Sequence, residues 1–362
     1  MTGILLTRSL LRRARLSVYV HEPAIVIACV DMARIVLLLS LCASAFAETR
    51  TIYATRFFNA YDHRNEVLAR IKPGDTVITR TLDAGGYDQN TKKLADPSNP
   101  LTGPFYIEGA EPGDAIAVTF TRMRMNRNFG WSGFRLGLYS INPEQAVGIY
   151  SNARPTGEAL PERANIVRWD IDLARNTVKL RDPASSVHKM EFAAKPMLGC
   201  VGVAAAGMFA PTSAISGNYG GNMDYNRINE GATLILPVFH PGALLFMGDG
   251  HALQADGEPT GTGIETSLDV TFTVELRKRA GVNNPRVETP DSIIAIGSQP
   301  EFVTSLDRSL RVATSEMVDW LTRDYKMEPW AAHLLIGYQG QYDVVTVAGS
   351  MALRIPKSAL PR

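Results

Sequence analysis

The chain has 362 residues, 45% of them apolar, with 37 Lys and Arg against 36 Asp and Glu for a formal net charge of +1. That balance leaves no electrostatic footprint for nucleic acid or an anionic membrane surface, and the length is enough to bury a sizeable core. Of three cysteines, Cys29 and Cys42 lie close to the N-terminus, so Cys200 stands alone and neither a disulfide nor a cysteine-based zinc cluster is expected beyond that region.

Residues 1–31 carry Arg8, Arg12, Arg13 and Arg15 and read as a mis-called extension ahead of a start at Met32. Met32-Ala-Arg, the apolar run Ile35 to Leu41 and Ala45-Phe46-Ala47 have the three parts of a secretory signal: basic start, apolar stretch and small-x-small cleavage site. The apolar run is too short to span a bilayer, which takes about 20 residues. The expectation is a signal peptide over 32–47 and a mature region over 48–362. The product would be periplasmic or secreted, with no stable membrane association after cleavage.

Strand patterns dominate from there. Val77 to Asp83 and Asp114 to Arg122 alternate apolar and polar residues. Ile166 to Ile171 with Val178 to Leu180 predicts a hairpin. Leu234 to Val238 and Ala243 to Met247 predict short strands across the turn His240-Pro-Gly. Ile264 to Leu276 alternates along its length, and Tyr342 to Val347 with Met351 to Ile355 predicts a further hairpin. A helix is expected over Leu306 to Tyr325, with Ser305 as N-cap and a core stripe of Leu310, Ala313, Met317 and Leu321, and a shorter one over Trp330 to Ile336. The fold class is α+β, mainly β, with an elaborated β-sandwich or barrel core and a C-terminal helical segment.

Candidate chemistry concentrates between Gly217 and Glu265. Asp249, His251, Asp256, Glu258 and Glu265 fall within 17 residues, separated by glycines. Burying such charges is unfavourable unless they pair or bind a cation, and glycines let loop ligands converge. Asp249-Gly-His251 and Asp256-Gly-Glu258 each place two side chains at i and i+2, which an extended segment projects to one side. The spacing points to Asp249, His251 and Asp256 as metal ligands, with Glu265 or Glu258 as the proton carrier. Gly217-Asn-Tyr-Gly-Gly-Asn-Met-Asp lacks the lysine of a phosphate loop. Asn218, Gly220, Gly221 and Asn222 are its candidate substrate contacts, and Asp224 reads as a ligand or a support for one. Asp88 and Glu108 are weaker candidates. Asp75 and Asp114, in Pro-Gly-Asp turns, read as structural. Cys200 in Leu-Gly-Cys-Val-Gly reads as a packed core thiol, Ser213 and Ser216 lack a nucleophile elbow, and His240 reads as a turn residue.

The block from Gly217 to Glu265 resembles the acetamidase/formamidase family. So do Asn99 to Val118 (N-P-L-T-G-P-F-Y-I-E-G-A-E-P-G-D-A-I-A-V), Pro196 to Ala204 (P-M-L-G-C-V-G-V-A) and Thr266 to Leu276 (T-S-L-D-V-T-F-T-V-E-L). The likeness runs from about Phe57 to Lys357. It implies a metal-dependent hydrolase of short amides, linear or cyclic, with a β-sandwich core, a homodimer, and 48–362 as the catalytic region. It also implies a ligand role for Asp83, the aspartate of Thr81-Leu-Asp83 at the matching position. The histidine favours zinc, while the oxygen-rich set leaves calcium open. Two rival readings are a non-catalytic, metal-stabilised periplasmic β-module and a thiol amidase using Cys200.

Overall fold

The computed structural model describes residues 47–134, 136–137, 139–145, 166–182, 189–299 and 304–361. The extension 1–31 and nearly all of the signal segment 32–47 lie outside the described residues.

Two sheets make the body of the fold. A nine-stranded sheet runs in spatial order Thr49–Thr51, Thr76–Arg80, Leu268–Arg277, Ala115–Met125, Thr233–Pro237, Arg286–Glu288, Ser292–Ser298, Ser350–Pro356 and Gln341–Thr346. A six-stranded sheet runs Ser216–Gly217, Gly220–Asn222, Met197–Val203, Leu245–His251, Leu101–Ile107 and Ala69–Ile71. Alternation in the large sheet separates two buried faces. Val118, Phe120, Leu234, Phe272 and Ile294 join one core with Leu101, Phe105, Leu198, Val201 and Phe246 of the second sheet. The rings of Phe105 and Phe272 meet edge to face at 5.3 Å across that interface.

The opposite face presents Ala117, Ile235, Ile293, Ala295 and Leu353 to the helix Leu306–Arg323 and its neighbour Pro329–Gln339. Ser305 caps the first helix by accepting the Arg308 N–H, and Ala313, Met317 and Leu321 are buried along one stripe. Leu310 is only half-buried; Ser309, which donates to the Gly349 carbonyl, takes the buried place. Glu316 anchors the same helix to the sheet through a buried pair with Arg286 at 2.6 Å. No helix among the described residues is long and apolar enough to cross a membrane.

A smaller four-stranded sheet, Phe129–Ser132, Val167–Asp172, Thr177–Asp182 and Glu191–Ala193, contains the expected hairpin and packs Val167, Trp169 and Val178 onto the main core.

Two strands differ from the sequence pattern in ways that build the site. Ala243 and Leu244 have φ of +56° and +61°, so that strand starts at Leu245 and continues to His251. The strand expected from Ile264 begins at Leu268. Ile264 and Thr266 instead exchange backbone hydrogen bonds with Ala252, Leu253 and Gly250, and Glu265 bridges Trp131 on one side and His251 on the other.

Candidate metal centre

The strand Leu245–His251 lies between Met197–Val203 and Leu101–Ile107 in the middle of the six-stranded sheet, and its last three residues carry the site. Asp249 has φ +58°, a region that non-glycine residues enter at a cost. Its neighbours pair as Gly248 with Cys200 and Gly250 with Leu198, which places Asp249 against Gly199. A Cβ on Gly199 would lie 2.5 Å from Asp249 Oδ2 and closer still to Asp224 Oδ1, so the two carboxylates occupy the space a side chain would need. Gly263 does the same beneath the imidazole, where a Cβ would come within 2.5 Å of the His251 ring.

Asp224, Asp249 and His251 converge so that one ligand atom of each lies within 4.8 Å of the others, and His251, Glu258 and Glu265 do likewise. His251 Nε2 stands 3.2 Å from Glu265 Oε1 and 3.5 Å from Asp249 Oδ1. Its Nδ1 lies 2.8 Å from Gln254 Oε1, while Gln254 Nε2 donates to the Asp224 carbonyl at 2.5 Å. That donation sets the amide orientation, so Oε1 accepts from Nδ1–H and Nε2 is the atom turned to the carboxylates. In the absence of a cation the facing carboxylates hold the imidazole protonated: burial opposes the charge, but Glu265 and Asp249 raise its pKa well above the usual value.

The centre carries too much negative charge for its surroundings. Asp224 is pushed up to about 7 by burial and by Asp249, and Glu265 to about 8 by burial and by Asp249. Glu258 is raised well above the carboxylate range by burial and the charge of Asp224. Three buried carboxylate oxygens, Asp224 Oδ1, Asp249 Oδ1 and Glu265 Oε2, have no hydrogen-bond partner. Orphaned buried acceptors are rare because each forfeits its solvation. One imidazole nitrogen among several carboxylates, three of them with an unclaimed oxygen, is a donor set that fits a divalent cation.

Several sequence expectations land elsewhere. Asp83 is buried, but four donors use its carboxylate: Gly85 N–H at 3.0 Å, Tyr87 N–H at 2.9 Å, Arg127 Nη2 at 2.6 Å and Trp131 Nε1 at 3.0 Å. Instead of joining the ligands it stands behind them. Trp131 pairs backbone to backbone with Glu265, and Arg127 Nη2 also reaches the Glu265 carbonyl at 3.4 Å. Asp256 is exposed and accepts from Asn226 at 2.7 Å; Gly257 and Glu258 both have positive φ, so the segment is not extended and its acids diverge.

Asn218 is exposed, and Asn222 is engaged with Asn99 and Cys200. Gly220 and Gly221 pair with Gly202 and Val201 in the sheet, where a Cβ would strike the backbone, so they serve packing instead of facing a substrate. Asp88 closes a turn by accepting from Asn90 and Lys92, Glu108 lies outside the cluster, and Asp75 and Asp114 accept backbone N–H groups in turns. His240 contacts the Ala205 carbonyl and stacks on His63.

Cys200 is buried, yet its setting is more polar than its flanking residues imply. The thiol donates to Asn222 Oδ1 at 2.9 Å and sits 3.9 Å from Asp249 Oδ2. Burial and the charges of Asp249 and Asp224 push its pKa well above the usual thiol value, the opposite of what a nucleophile needs. Gly199, Gly263 and Gln254 are contributors that sequence pattern did not single out; the spacing of Gln254 three residues after His251 was the available signal.

A strand-rich fold of the α+β class with a buried histidine–carboxylate centre defines the kind of protein this is. A sequence profile of the Acetamidase/Formamidase family matches residues 210–307, the segment holding most of that centre. An acetamidase from Yersinia enterocolitica superimposes with a TM-score of 0.71 at 28% identity, over 88% of this chain and 95% of that one. An acetamidase from Bacillus halodurans gives 0.67 at 25% identity, over 85% and 97%. A formamidase of Methylophilus methylotrophus is 25% identical over 264 residues, 60% of this chain and 64% of its own length. A Schizosaccharomyces pombe protein provisionally named a formamidase is 27% identical over 265 residues, 61% and 63%. The matched region thus spans less than two thirds of both formamidase relatives. The chain is thus similar to the Acetamidase/Formamidase family over residues 210–307 and to solved acetamidases in fold.

Proposed function

We propose that this chain hydrolyses the carbon–nitrogen bond of small amides, releasing a carboxylic acid and ammonia, with a divalent cation held by Asp224, Asp249, His251 and Glu265. The observation that carries it is the set of three buried carboxylate oxygens without a hydrogen-bond partner gathered with His251, in a chain similar to formamidases and acetamidases. An imidazole in the donor set favours zinc over calcium. Such a cation, once bound, would supply Lewis acidity toward an amide carbonyl and acidify a water.

The chain's own groups account for the remainder. Hydrolysis forms a carbon–oxygen bond, breaks the carbon–nitrogen bond and moves a proton from water to the departing nitrogen. Glu258 suits that transfer: it is partly exposed, lines a cavity, and lies beside His251 and Glu265. Burial and the charge of Asp224 hold its pKa well above the carboxylate range, which favours a carboxyl that carries a proton. Glu265 is fully enclosed, and its Oε1 accepts the Gly263 N–H at 3.1 Å, which suits a ligand better than a shuttle. Gln254 holds the imidazole, and the Asp83–Arg127–Trp131 group holds the Glu265 backbone.

The signal-like segment 32–47 supports export to the periplasm or medium, and the family resemblance supports a homodimer. Elemental analysis combined with ammonia release from formamide and acetamide, before and after chelation, tests the reading. Bound divalent metal with chelator-sensitive release is expected. A metal-loaded protein that turns over no amide would leave a metal-stabilised, non-catalytic module in its place.

A further inference from the structure

A cavity of about 500 Å³ adjoins the candidate centre, and Gln254 and Glu258 belong to its wall. The other lining is mostly apolar and includes Val167, Trp169, Leu180, Met190, Phe192 and Leu253. Most of its side-chain polar groups already hold a hydrogen bond within the protein. Trp169 Nε1 donates to Ser132 Oγ, and that hydroxyl donates to the Gly133 carbonyl. Thr262 Oγ1 accepts the Gly133 N–H, Thr260 Oγ1 donates to the Thr262 carbonyl, and Gln254 is spent on His251 and Asp224. Glu258 is the polar side chain of this wall that also belongs to the histidine–carboxylate cluster.

Resting on the amidase reading above, we infer that the preferred substrates are primary amides with a bulky apolar acyl group, medium-chain or aryl-substituted, seated in this cavity with the carboxamide at Glu258. Formamide and acetamide are only a few times the roughly 30 Å³ share of one water molecule, so either would leave most of the space unfilled. The volume lies within the range of about 300–1,000 Å³ typical of pockets for larger ligands. A polar tail in this cavity would find few free partners, since most side-chain polar groups of the wall already hold a hydrogen bond within the protein. An apolar tail loses nothing there and leaves water.

The test is a series with a constant carboxamide head: acetamide, butyramide, hexanamide and phenylacetamide. Each buried methylene is worth about fourfold, so kcat/KM for hexanamide, four methylenes longer, should exceed that for acetamide by about two-hundredfold. Met190→Trp, which fills the cavity, should lower the hexanamide-to-acetamide ratio at least tenfold. Leu180→Trp probes another part of the wall should that variant fail to fold.

Calorimetric binding of hexanamide to Glu258→Gln protein gives a readout independent of turnover, with a negative heat-capacity change expected and at least tenfold weaker binding when Met190→Trp is added. A flat or falling series across the four amides overturns the inference, as does absence of hexanamide binding. Hexanamide binding that is sensitive to Met190→Trp, with no turnover of any amide, retains the cavity's ligand class and rejects the amidase reading instead.

Discussion

The Gly199 carbonyl accepts the Asp224 N–H at 3.1 Å, and the missing side chain of the same glycine leaves the space that Asp224 Oδ1 enters. One residue thus holds the backbone of a candidate ligand and makes room for its carboxylate. Gly199→Ala is expected to push Asp224 and Asp249 apart and weaken zinc binding at least tenfold, read by competition with a chromogenic chelator. Binding of native strength would show that neither carboxylate depends on that space.

Gln254 has a similar supporting task through its amide. Gln254→Leu removes the acceptor for His251 Nδ1–H and the donor to the Asp224 carbonyl while keeping bulk. Loss of such an outer partner typically costs 10–100-fold in metal affinity, and Gln254→Glu, which keeps the acceptor, should recover part of it. Equal affinities for the two variants would mean that the ring needs no orientation from Gln254.

The stability of the metal-free protein should fall as pH rises from about 5 to 8. Asp224 and Glu265, raised to about 7 and about 8, hold protons in the folded state that the unfolded chain has released. The folded state therefore binds more protons across that window, and the pH derivative of the unfolding free energy is negative. His251, also raised, acts with the same sign. A bound cation replaces those protons, so the loaded protein should lose most of this slope while its metal affinity grows with pH. Thermal melts of chelated and zinc-loaded samples across the window decide this; parallel curves would place the cation elsewhere.

The sequence carried much of the fold because period-2 burial is a local signal. Val270, Phe272 and Val274 are buried on one face with half-buried threonines between them, as their alternation requires. The site was legible only where its parts are close in sequence. Asp249 and His251 stand on one strand and could be paired on sight. Asp83 was expected as a ligand on family resemblance alone; the donors that saturate it, Arg127 and Trp131, lie 44 and 48 residues away and leave no local signal. Asp256 failed for a local reason that side-chain spacing does not encode: two successive residues with positive φ end the extended geometry on which an i, i+2 argument depends. Gly199 became visible only once the sheet brought Asp224 and Asp249 to the same point.

Cys200→Ser should retain amide turnover within a few-fold. The hydroxyl can keep the donation to Asn222, and a thiol whose ionisation is suppressed by burial, Asp249 and Asp224 contributes no nucleophile. A folded, metal-loaded Cys200→Ser protein without turnover would bring the thiol mechanism forward.

The two glutamates should separate binding from proton transfer. Glu265→Gln removes a negative charge from the enclosed cluster, where an amide is a far poorer partner for a cation, so metal content and turnover should fall together. Glu258→Gln preserves shape at the cavity wall and removes only the group able to exchange a proton. Metal content should then stay near native while kcat falls about 10²–10⁴-fold, the usual worth of a positioned acid or base. Metal analysis and ammonia release on the same preparations give both readouts. If Glu258→Gln strips the metal while Glu265→Gln retains it and loses turnover, the assignments are reversed and Glu265 is the proton carrier. If both variants bind metal and turn over normally, proton transfer must come from outside this pair.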